Sequence, residues 1–217
     1  GQDELARMAK AFNQLLERIE VAFNAQKIFV ASASHELRTP LTMIRGQLEV
    51  LVMKERSQEE YKKVVLSALE DIQRLSNISN QLLLLSQMER NSSEIQINEL
   101  RIDELVWEVR HELLKSFPHY AISVNFLSTP EDDVNLIFEG NAQLISTAFH
   151  NLIENACKFS SDNHCNVQLD FNQQEILFRC SDQGIGIDIK ELEFLFQPFY
   201  RSATARQFQG HGLGLSM

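Results

Sequence analysis

The first part of the chain shows the hydrophobic spacing of a long amphipathic helix. Apolar residues recur at alternating steps of three and four positions over residues 5–33, and no Gly or Pro interrupts residues 2–38. This spacing is a heptad seam, which predicts a helix that must bury its apolar stripe against another helix. A parallel homodimer is the favoured interpretation, and packing of the stripe within the chain is the alternative. The seam consists of Leu5, Met8, Phe12, Leu15, Ile19, Ala22, Phe29 and Ala33, with Gln26 as a polar interruption.

A second amphipathic stretch follows a polar segment at residues 54–63 and ends in the turn formers of residues 89–94. Two long helices joined by a short loop predict a helical hairpin, and two hairpins predict a four-helix bundle. After Pro40 the apolar register of the first helix moves by one residue, to Leu37, Leu41, Ile44, Leu48 and Leu51. The predicted stripe of the second helix is Tyr61, Val65, Ala68, Ile72, Leu75, Ser79, Leu82 and Leu85.

The chain beyond residue 94 has the pattern of an α+β domain. Its apolar runs are short, and some have the period of a strand and others the period of a helix. Helices combined with mainly antiparallel strands predict a two-layer α+β sandwich, with the helices on one face of a sheet. The pattern predicts helices over residues 102–117 and about 141–159, and short elements or strands at 95–98, 120–126, 134–140, 165–171 and 175–182, with a turn at 172–174.

Composition indicates a soluble globular protein of two domains. The chain has 217 residues, of which 44% are hydrophobic and 23% charged, and no apolar run approaches the roughly 20 residues of a membrane-spanning helix. The formal net charge of -10 argues against a general nucleic-acid binder but is compatible with a local basic pocket for phosphates. The three cysteines form no CxxC pair, so reduced thiols are predicted rather than a disulfide framework or a zinc site.

A proline stands inside the first helix, one turn after a histidine, in the segment ASASHELRTPLTMIRG. Pro40 cannot donate a backbone hydrogen bond to the carbonyl of Glu36, and its ring crowds that carbonyl, so a bend is predicted just after His35. His35 lies about 200° around the helix from Ala33 and Leu37, which belong to the apolar stripe. It therefore points outward. An outward histidine is usually an ordinary surface residue, so the remaining motifs must decide its role.

The segment NLIENACKFS places polar side chains on one face of the helix predicted near residues 141–159. Asn151 and Asn155 are four residues apart and Lys158 follows three later, so the three side chains share a face. Amide oxygens suit a hard ion such as Mg²⁺, and a lysine suits the phosphates that the ion bridges. Solvated or capping asparagines are the alternative for this segment.

Two glycine-containing loops follow that helix. In CSDQGIGI, Asp182 ends a strand, where a carboxylate can accept a hydrogen bond from an exocyclic amine such as that of adenine. The glycines beside it let the backbone approach a flat ligand closely. In SATARQFQGHGLGL, backbone amides could cradle phosphates, although alone this loop indicates only flexibility. The glycines of the two loops are Gly184, Gly186, Gly210, Gly212 and Gly214.

Several familiar motifs are excluded by spacing. HELRT lacks the second histidine of the HExxH zinc motif, and the chain contains neither GxGxxG nor GxxxxGK[ST]. It also lacks the HRD and DFG motifs of eukaryotic protein kinases. These absences remove the zincin, Rossmann and Walker interpretations.

Taken together and in order, SHELRTP, NLIENACKFS, DQGIGI, FQPFYR and GHGLGL resemble the H, N, G1, F and G2 boxes of bacterial sensor histidine kinases. The segment DELARMAKAFNQLLERIE is similar to the second helix of a HAMP linker. The resemblance implies a HAMP helix and coiled coil over residues 1–25, a dimerisation and histidine phosphotransfer domain over 26–92, and a Bergerat (GHKL) ATP-binding domain over 93–217 that is incomplete after the G2 box. It also implies a homodimer, ATP and Mg²⁺, a response regulator as partner, and the cytoplasmic side of a bacterial inner membrane.

The resemblance implies roles for the residues of the first helix. His35 would accept the γ-phosphoryl group of ATP and pass it to an aspartate of the regulator. Glu36 would hold or deprotonate the imidazole, and Thr39 would position water in the reverse, phosphatase reaction. A bend at Pro40 would let the helix above His35 move relative to the bundle. A phosphatase-dominant sensor and a non-catalytic dimeric scaffold are the alternatives.

The resemblance also implies the residues of the nucleotide site. Asn155 would bind Mg²⁺, Asp182 would bind the adenine amine, and Phe196 and Phe199 would anchor a lid over the nucleotide. Lys158 and Arg201 would neutralise phosphate charge. The remaining residues implied at this site are Asn151, Phe159, Gly184, Gly186, Ile187, Gly210, His211, Gly212, Leu213 and Gly214.

Overall fold

The computed structural model describes residues 2–90, 96–127, 136–171, 175–208 and 210–216. The chain folds into two compact units, Gly1–Leu82 and Leu83–Met217. Within the described ranges, no helix is at once long enough and apolar enough to traverse a lipid bilayer.

The predicted helical hairpin is confirmed in the first unit. Helix α1 spans Gln2–Val52 and helix α2 spans Gln58–Arg90. Ser57 and Glu60 form a capping box at the start of α2, because the Ser57 amide donates to the Glu60 carboxylate (3.0 Å) and the Glu60 amide donates to the Ser57 hydroxyl (3.3 Å). Helix α1 continues through Pro40, which is buried. The bend at this residue stays a prediction.

The face of α2 that is buried in the hairpin agrees with the predicted stripe only in part: Ala68 is buried, and Leu75 and Leu82 are half-buried. Asp71 and Ile78 are buried, and Asp71 accepts a hydrogen bond from Gln47 of α1 (3.2 Å). Val65 and Ile72, which were predicted to be buried, expose 46% and 49% of their surface. Helix α2 therefore has an apolar face beyond the one that packs on α1, and hydropathy alone does not show which face the chain itself covers.

The heptad seam of α1 is exposed in the single chain from Leu5 to Ala22, and its last two members, Phe29 and Ala33, are half-buried. Leu5, Met8 and Phe12 expose more than half of their surface. Further along α1, Leu41 and Leu48 expose 52% and 45%. Packing within the chain, the alternative to a homodimer, leaves this stripe uncovered. An apolar stripe of this length is stabilised when a second surface removes it from water.

The predicted α+β architecture is confirmed in the second unit. Strand β1 (Asn98–Arg101) pairs antiparallel with β3 (Ile137–Gly140), and a three-stranded sheet has the order β2 (Ala121–Phe126), β4 (His164–Phe171), β5 (Ile176–Ser181). Strand β4 pairs antiparallel with β5 but parallel with β2. Antiparallel pairing thus holds for two of these three pairings. The first strand starts at Asn98, later than predicted, and the predicted turn at 172–174 lies outside the described residues.

Two helices cover the inner face of the three-stranded sheet. Helices α3 (Ile102–Ser116) and α4 (Ala142–Phe159) contribute to one apolar core with the strands. Asn141 caps α4 by accepting a hydrogen bond from the Leu144 amide (3.0 Å). The fully buried centre of this core consists of Val106, Leu113, Ile153, Cys157, Cys165, Val167 and Leu169.

Candidate functional site

His35 is exposed on α1, whereas Ala33 and Leu37 are half-buried. The outward orientation predicted from the helical period is therefore confirmed. Glu36 is half-buried, and Thr39 is exposed with its hydroxyl donating to the His35 carbonyl (3.2 Å). Because Thr39 follows His35 by four residues, the two side chains share an exposed face of the helix. A partner molecule can reach both.

In the second unit, α4 presents Asn151 to the loop at residues 210–214. Asn151 is buried and Asn155 is half-buried. A β-carbon placed on Gly214 would lie 3.4 Å from the side-chain Oδ1 of Asn151, so the loop closes directly over this amide. The Nδ2 of Asn151 is buried and has no hydrogen-bond partner among the described residues. A buried unpaired amide costs free energy, and a ligand that accepts its hydrogen bond would remove that cost.

Lys158 lies beneath the same loop, one helical turn beyond Asn155. A β-carbon on Gly210 would lie 2.7 Å from the Lys158 Nζ, and Gly210 has a φ of 148° that other residues rarely adopt. Burial lowers the pKa of Lys158, and the Arg201 charge lowers it further, while Glu154 acts in the opposite direction. The ammonium is therefore short of negative charge, which a phosphate group would supply.

The turn after β5 is tied to the C-terminal end of α4. The Gly184 amide donates to the exposed Asp182 carboxylate (2.8 Å), and Gly184 forms an isolated β-bridge with Ser160. A β-carbon on Gly184 would lie 2.4 Å from the Phe159 carbonyl oxygen. Only glycine fits here, and the close approach fixes Asp182 relative to α4.

The polar loop before Gly210 is held by backbone contacts. The Phe199 amide donates to the Gly212 carbonyl (2.7 Å). The Arg201 guanidinium donates to the Ala205 carbonyl (2.6 Å) and to the Phe208 carbonyl. Arg201 therefore orders the loop in this structure, in addition to any contact with phosphate.

Phe196, one of the two predicted lid anchors, exposes 70% of its surface, and its role stays a prediction. Phe208 packs edge-on against Phe159, with 5.1 Å between the ring centroids. Sequence reasoning missed Phe208, although it is the one aromatic residue in the polar stretch SATARQFQG. Leu213 is almost fully buried, so it holds the loop to the domain.

The other predicted residues of the site lie in the same two loops. Gly186 has a positive φ of 68°, and Ile187 is exposed beside it. Gly212 has a positive φ of 70°, and His211 is half-buried. The structure thus brings Asn151 and Lys158 together with the 210–214 loop, and it ties Asp182 to the end of the same helix. Asn155 is half-buried on this helix, and its role stays a prediction.

The sequence matches two protein families in succession. Residues 25–91 match the His Kinase A (phospho-acceptor) domain, and residues 140–217 match the histidine kinase-, DNA gyrase B- and HSP90-like ATPase family. A phospho-acceptor domain followed by this ATPase domain is the core of a sensor histidine kinase. The chain therefore carries the phospho-acceptor and ATPase domains of a bacterial sensor histidine kinase, in that order.

Curated relatives have corresponding names. The signal transduction histidine-protein kinase ArlS of Staphylococcus haemolyticus is 29% identical over 217 residues, which are 98% of this chain and 47% of ArlS. The probable sensor protein PcoS of Escherichia coli is also 29% identical, over 99% of this chain and 45% of PcoS. The chain spans about half the length of these relatives.

Solved structures support the fold. The histidine kinase AdeS of Acinetobacter baumannii superposes with a TM-score of 0.61 at 21% identity, over 84% of this chain and 82% of AdeS. The histidine kinase ThkA, crystallised in complex with the response regulator protein TrrA, gives a TM-score of 0.62 at 21% identity, over 88% of this chain and 55% of that one. The predicted helical hairpin followed by an ATPase-type sandwich is thereby confirmed.

Proposed function

We propose that this chain is the kinase core of a two-component sensor, which transfers the γ-phosphoryl group of ATP to His35 and then to an aspartate of a response regulator. The observation that carries the proposal is that the buried, unpaired amide of Asn151 and the ammonium of Lys158 lie under the same glycine-containing loop. Such a site offers a hydrogen-bond donor and a cation to an anionic ligand. An exposed histidine on a helix is the complementary acceptor.

In this proposal the nucleotide lies between the two glycine-containing loops. Asp182 accepts a hydrogen bond from the adenine amine, since its carboxylate is exposed and held by the Gly184 amide. Lys158 neutralises phosphate charge, for which its desolvated ammonium is suited. The Asn155 amide oxygen fits Mg²⁺, an ion that commonly takes few protein ligands together with phosphates and waters. When bound, the ion would neutralise charge on the phosphates.

The proposed reaction is an in-line displacement. A neutral ring nitrogen of His35 attacks the γ-phosphorus while the bond to the bridging oxygen of ADP breaks, and the ring loses its proton. Glu36, the next residue, is placed to orient the imidazole or accept that proton. Thr39 shares the exposed face with His35, which supports a role for its hydroxyl in positioning water for dephosphorylation of the regulator.

The proposed protein partner is a response regulator receiver domain. ThkA, whose solved structure includes the response regulator TrrA, has the same fold as this chain. The exposed surface around His35 leaves room for such a partner. We place the chain on the cytoplasmic side of a bacterial inner membrane, where ATP is available.

The direct test is to incubate the chain with γ-labelled ATP and magnesium and to examine the label. A phosphohistidine is acid-labile and base-stable, and this chemistry is the expected result. A scaffold without catalysis would take up no label. Incubation with a phosphorylated regulator in a separate reaction distinguishes a phosphatase-dominant sensor, which would release phosphate from the regulator but label itself poorly.

Dimerisation through the hairpin gives a separate prediction. Changing Leu48 and Ile72 together to glutamate should convert a dimer to a monomer, because both side chains lie exposed on the apolar faces left uncovered by the single chain. Light scattering after size-exclusion chromatography measures the mass. The control is Glu70→Lys, at an exposed polar position of the same helix, and it should stay dimeric. A double variant that remains dimeric would contradict this interface.

The pH dependence of nucleotide affinity tests the role of Lys158. An ordinary lysine loses its positive charge near pH 10.4. Burial lowers the pKa of Lys158, so in the protein without nucleotide this lysine loses its charge at a lower pH. Affinity for ATP should therefore decrease as the pH rises towards that value, by about tenfold. Lys158→Arg should retain binding across this range, because guanidinium stays charged. Lys158→Met should bind weakly with no such pH dependence, as measured by fluorescence titration.

A further inference from the structure

The core beneath the proposed nucleotide site contains all three cysteines of the chain. Cys157 lies on α4, Cys165 on β4, and Cys180 on β5, two residues before Asp182. The Sγ atoms of Cys165 and Cys180 are 2.9 Å apart, and the Cys180 Sγ is also 3.6 Å from the Leu152 carbonyl oxygen. Two thiols therefore touch at the end of the strand that carries the predicted adenine ligand.

The strand register places both thiols on the inner face of the sheet. Cys180 is paired with Val167, and Cys165 precedes Val167 by two residues on β4. The two cysteines are thus diagonal neighbours, which are generally about 7–8 Å apart at their α-carbons. Disulfides generally span about 4.4–6.8 Å between α-carbons. A bond between these sulfurs is within reach, but it requires the ends of β4 and β5 to move closer together.

The three thiols differ in accessibility. Cys157 and Cys165 are fully buried, whereas Cys180 is only partly buried. The hydrogen bond that Cys157 donates to Cys165, together with burial, raises the pKa of Cys157. The hydrogen bond from Cys157 lowers the pKa of Cys165, but the hydrogen bond with Cys180 and burial outweigh it and raise that pKa to about 12. A small oxidant therefore reaches Cys180 first, with the Cys165 sulfur already in contact.

We propose that Cys165 and Cys180 form a reversible disulfide when the protein meets hydrogen peroxide, and that this bond weakens nucleotide binding. In the first step the Cys180 sulfur attacks peroxide, the O–O bond breaks, and a sulfenic acid and water form. In the second step the Cys165 sulfur attacks the Cys180 sulfur, the S–O bond breaks, and a second water leaves. Two thiols are oxidised and one peroxide is reduced to two waters. A dithiol reverses the reaction by thiol–disulfide exchange.

The connection to the nucleotide site is short. Cys180 is separated from Asp182 by one residue, and its sulfur contacts the Leu152 carbonyl, next to Asn151 on α4. Closing the disulfide draws the end of β5 towards β4 and away from this contact. Asp182 and the Gly184 bridge to the end of α4 are displaced with it. This second part of the proposal rests on the proposed function, whereas formation of the bond does not.

Peptide mapping under non-reducing conditions tests bond formation. The reduced 217-residue chain is treated with hydrogen peroxide, alkylated and digested. The expected product is a linked pair of peptides containing Cys165 and Cys180 that is lost on treatment with dithiothreitol. Cys180→Ser should abolish this linked pair, and Cys157→Ser should leave it intact. If circular dichroism shows that Cys180→Ser folds poorly, Cys180→Ala replaces it. A bond that includes Cys157, or unlinked cysteines at every peroxide concentration, would overturn the proposal.

A fluorescent ATP analogue tests the consequence. The oxidised chain should bind it about tenfold more weakly than the reduced chain, a typical coupling between two sites, and dithiothreitol should restore the affinity. Cys180→Ser should bind equally well before and after peroxide. Equal affinity of mapped, oxidised wild type and reduced wild type would overturn the regulatory part. Absence of binding by the reduced chain would instead contradict the proposed function, and the peptide map would still judge the disulfide.

Discussion

Replacing His35 with glutamine should remove acid-labile phosphate incorporation from γ-labelled ATP. Glutamine keeps a polar side chain on the exposed face of α1 but has no nucleophilic ring nitrogen. Loss of a nucleophile commonly lowers the rate by about 10⁴-fold or more, so the label should fall to background. Nucleotide binding should be unchanged, because the proposed ATP site is built from residues of the second unit. Retention of the label after acid and after base treatment measures phosphohistidine, and a fluorescence titration measures nucleotide binding.

A second histidine variant separates loss of the acceptor from a general effect of histidine replacement. His111 is exposed on α3, and His111→Gln should label as the wild type does. If His35→Gln kept acid-labile label, another residue would be the acceptor and the proposed role of His35 would be wrong. If it lost nucleotide binding as well, its low labelling would report folding rather than chemistry.

Periodicity predicted the helices because each element buries one face. Helix α4 is the clearest case: its buried Ile153 and Cys157 are four residues apart, and its predicted span differs from the observed one only at the capping residue Asn141. The same logic oriented His35 outward without any knowledge of the partner. A local pattern is sufficient when one face of an element decides its position.

The predictions are incomplete where packing between distant segments decides the outcome. The choice between two apolar faces of α2 depends on what covers each one, and buried Asp71 breaks the apolar pattern because Gln47 of α1 provides its hydrogen bond. The parallel pairing of β2 with β4 depends on the long connection between these two strands, which contains β3 and α4. Neither property is local in sequence.

The candidate site also divides into features that the sequence predicts and contacts that only the structure shows. The motifs named Asn151, Lys158 and Asp182, but the lid contacts were found only in the structure. Phe196 and Phe208 are both aromatic and lie in neighbouring loop segments, so composition cannot tell which one packs on Phe159. Spacing within a motif determines which side chains lie on the same face of a helix. Contacts between loops depend instead on how segments that are distant in sequence fold together.

Changing Gly184 to alanine should strongly weaken nucleotide binding, although it adds a single methyl group. The new β-carbon would lie 2.4 Å from the Phe159 carbonyl oxygen and 2.7 Å from the Asp182 Oδ1. The first of these atoms belongs to the backbone at the end of α4, so relief requires the turn to move away from the helix. The bridge between Gly184 and Ser160 then breaks and Asp182 loses its fixed position. We expect nucleotide affinity to fall by roughly a hundredfold and the free energy of unfolding to decrease by about 1–3 kcal/mol.

Gly186→Ala is the matched comparison, two residues further along the same turn. Gly186 has a φ of +68°, but a β-carbon there would meet no atom within 4 Å. Its cost is therefore conformational, about 1–2 kcal/mol, without a collision that displaces the end of α4. A fluorescent ATP analogue and chemical denaturation should show similar stability for the two variants but much weaker binding for Gly184→Ala. If the two variants bound the analogue equally well, the steric collision in Gly184→Ala would have no more effect than the backbone strain in Gly186→Ala. The contact between Gly184 and Phe159 would then not position Asp182.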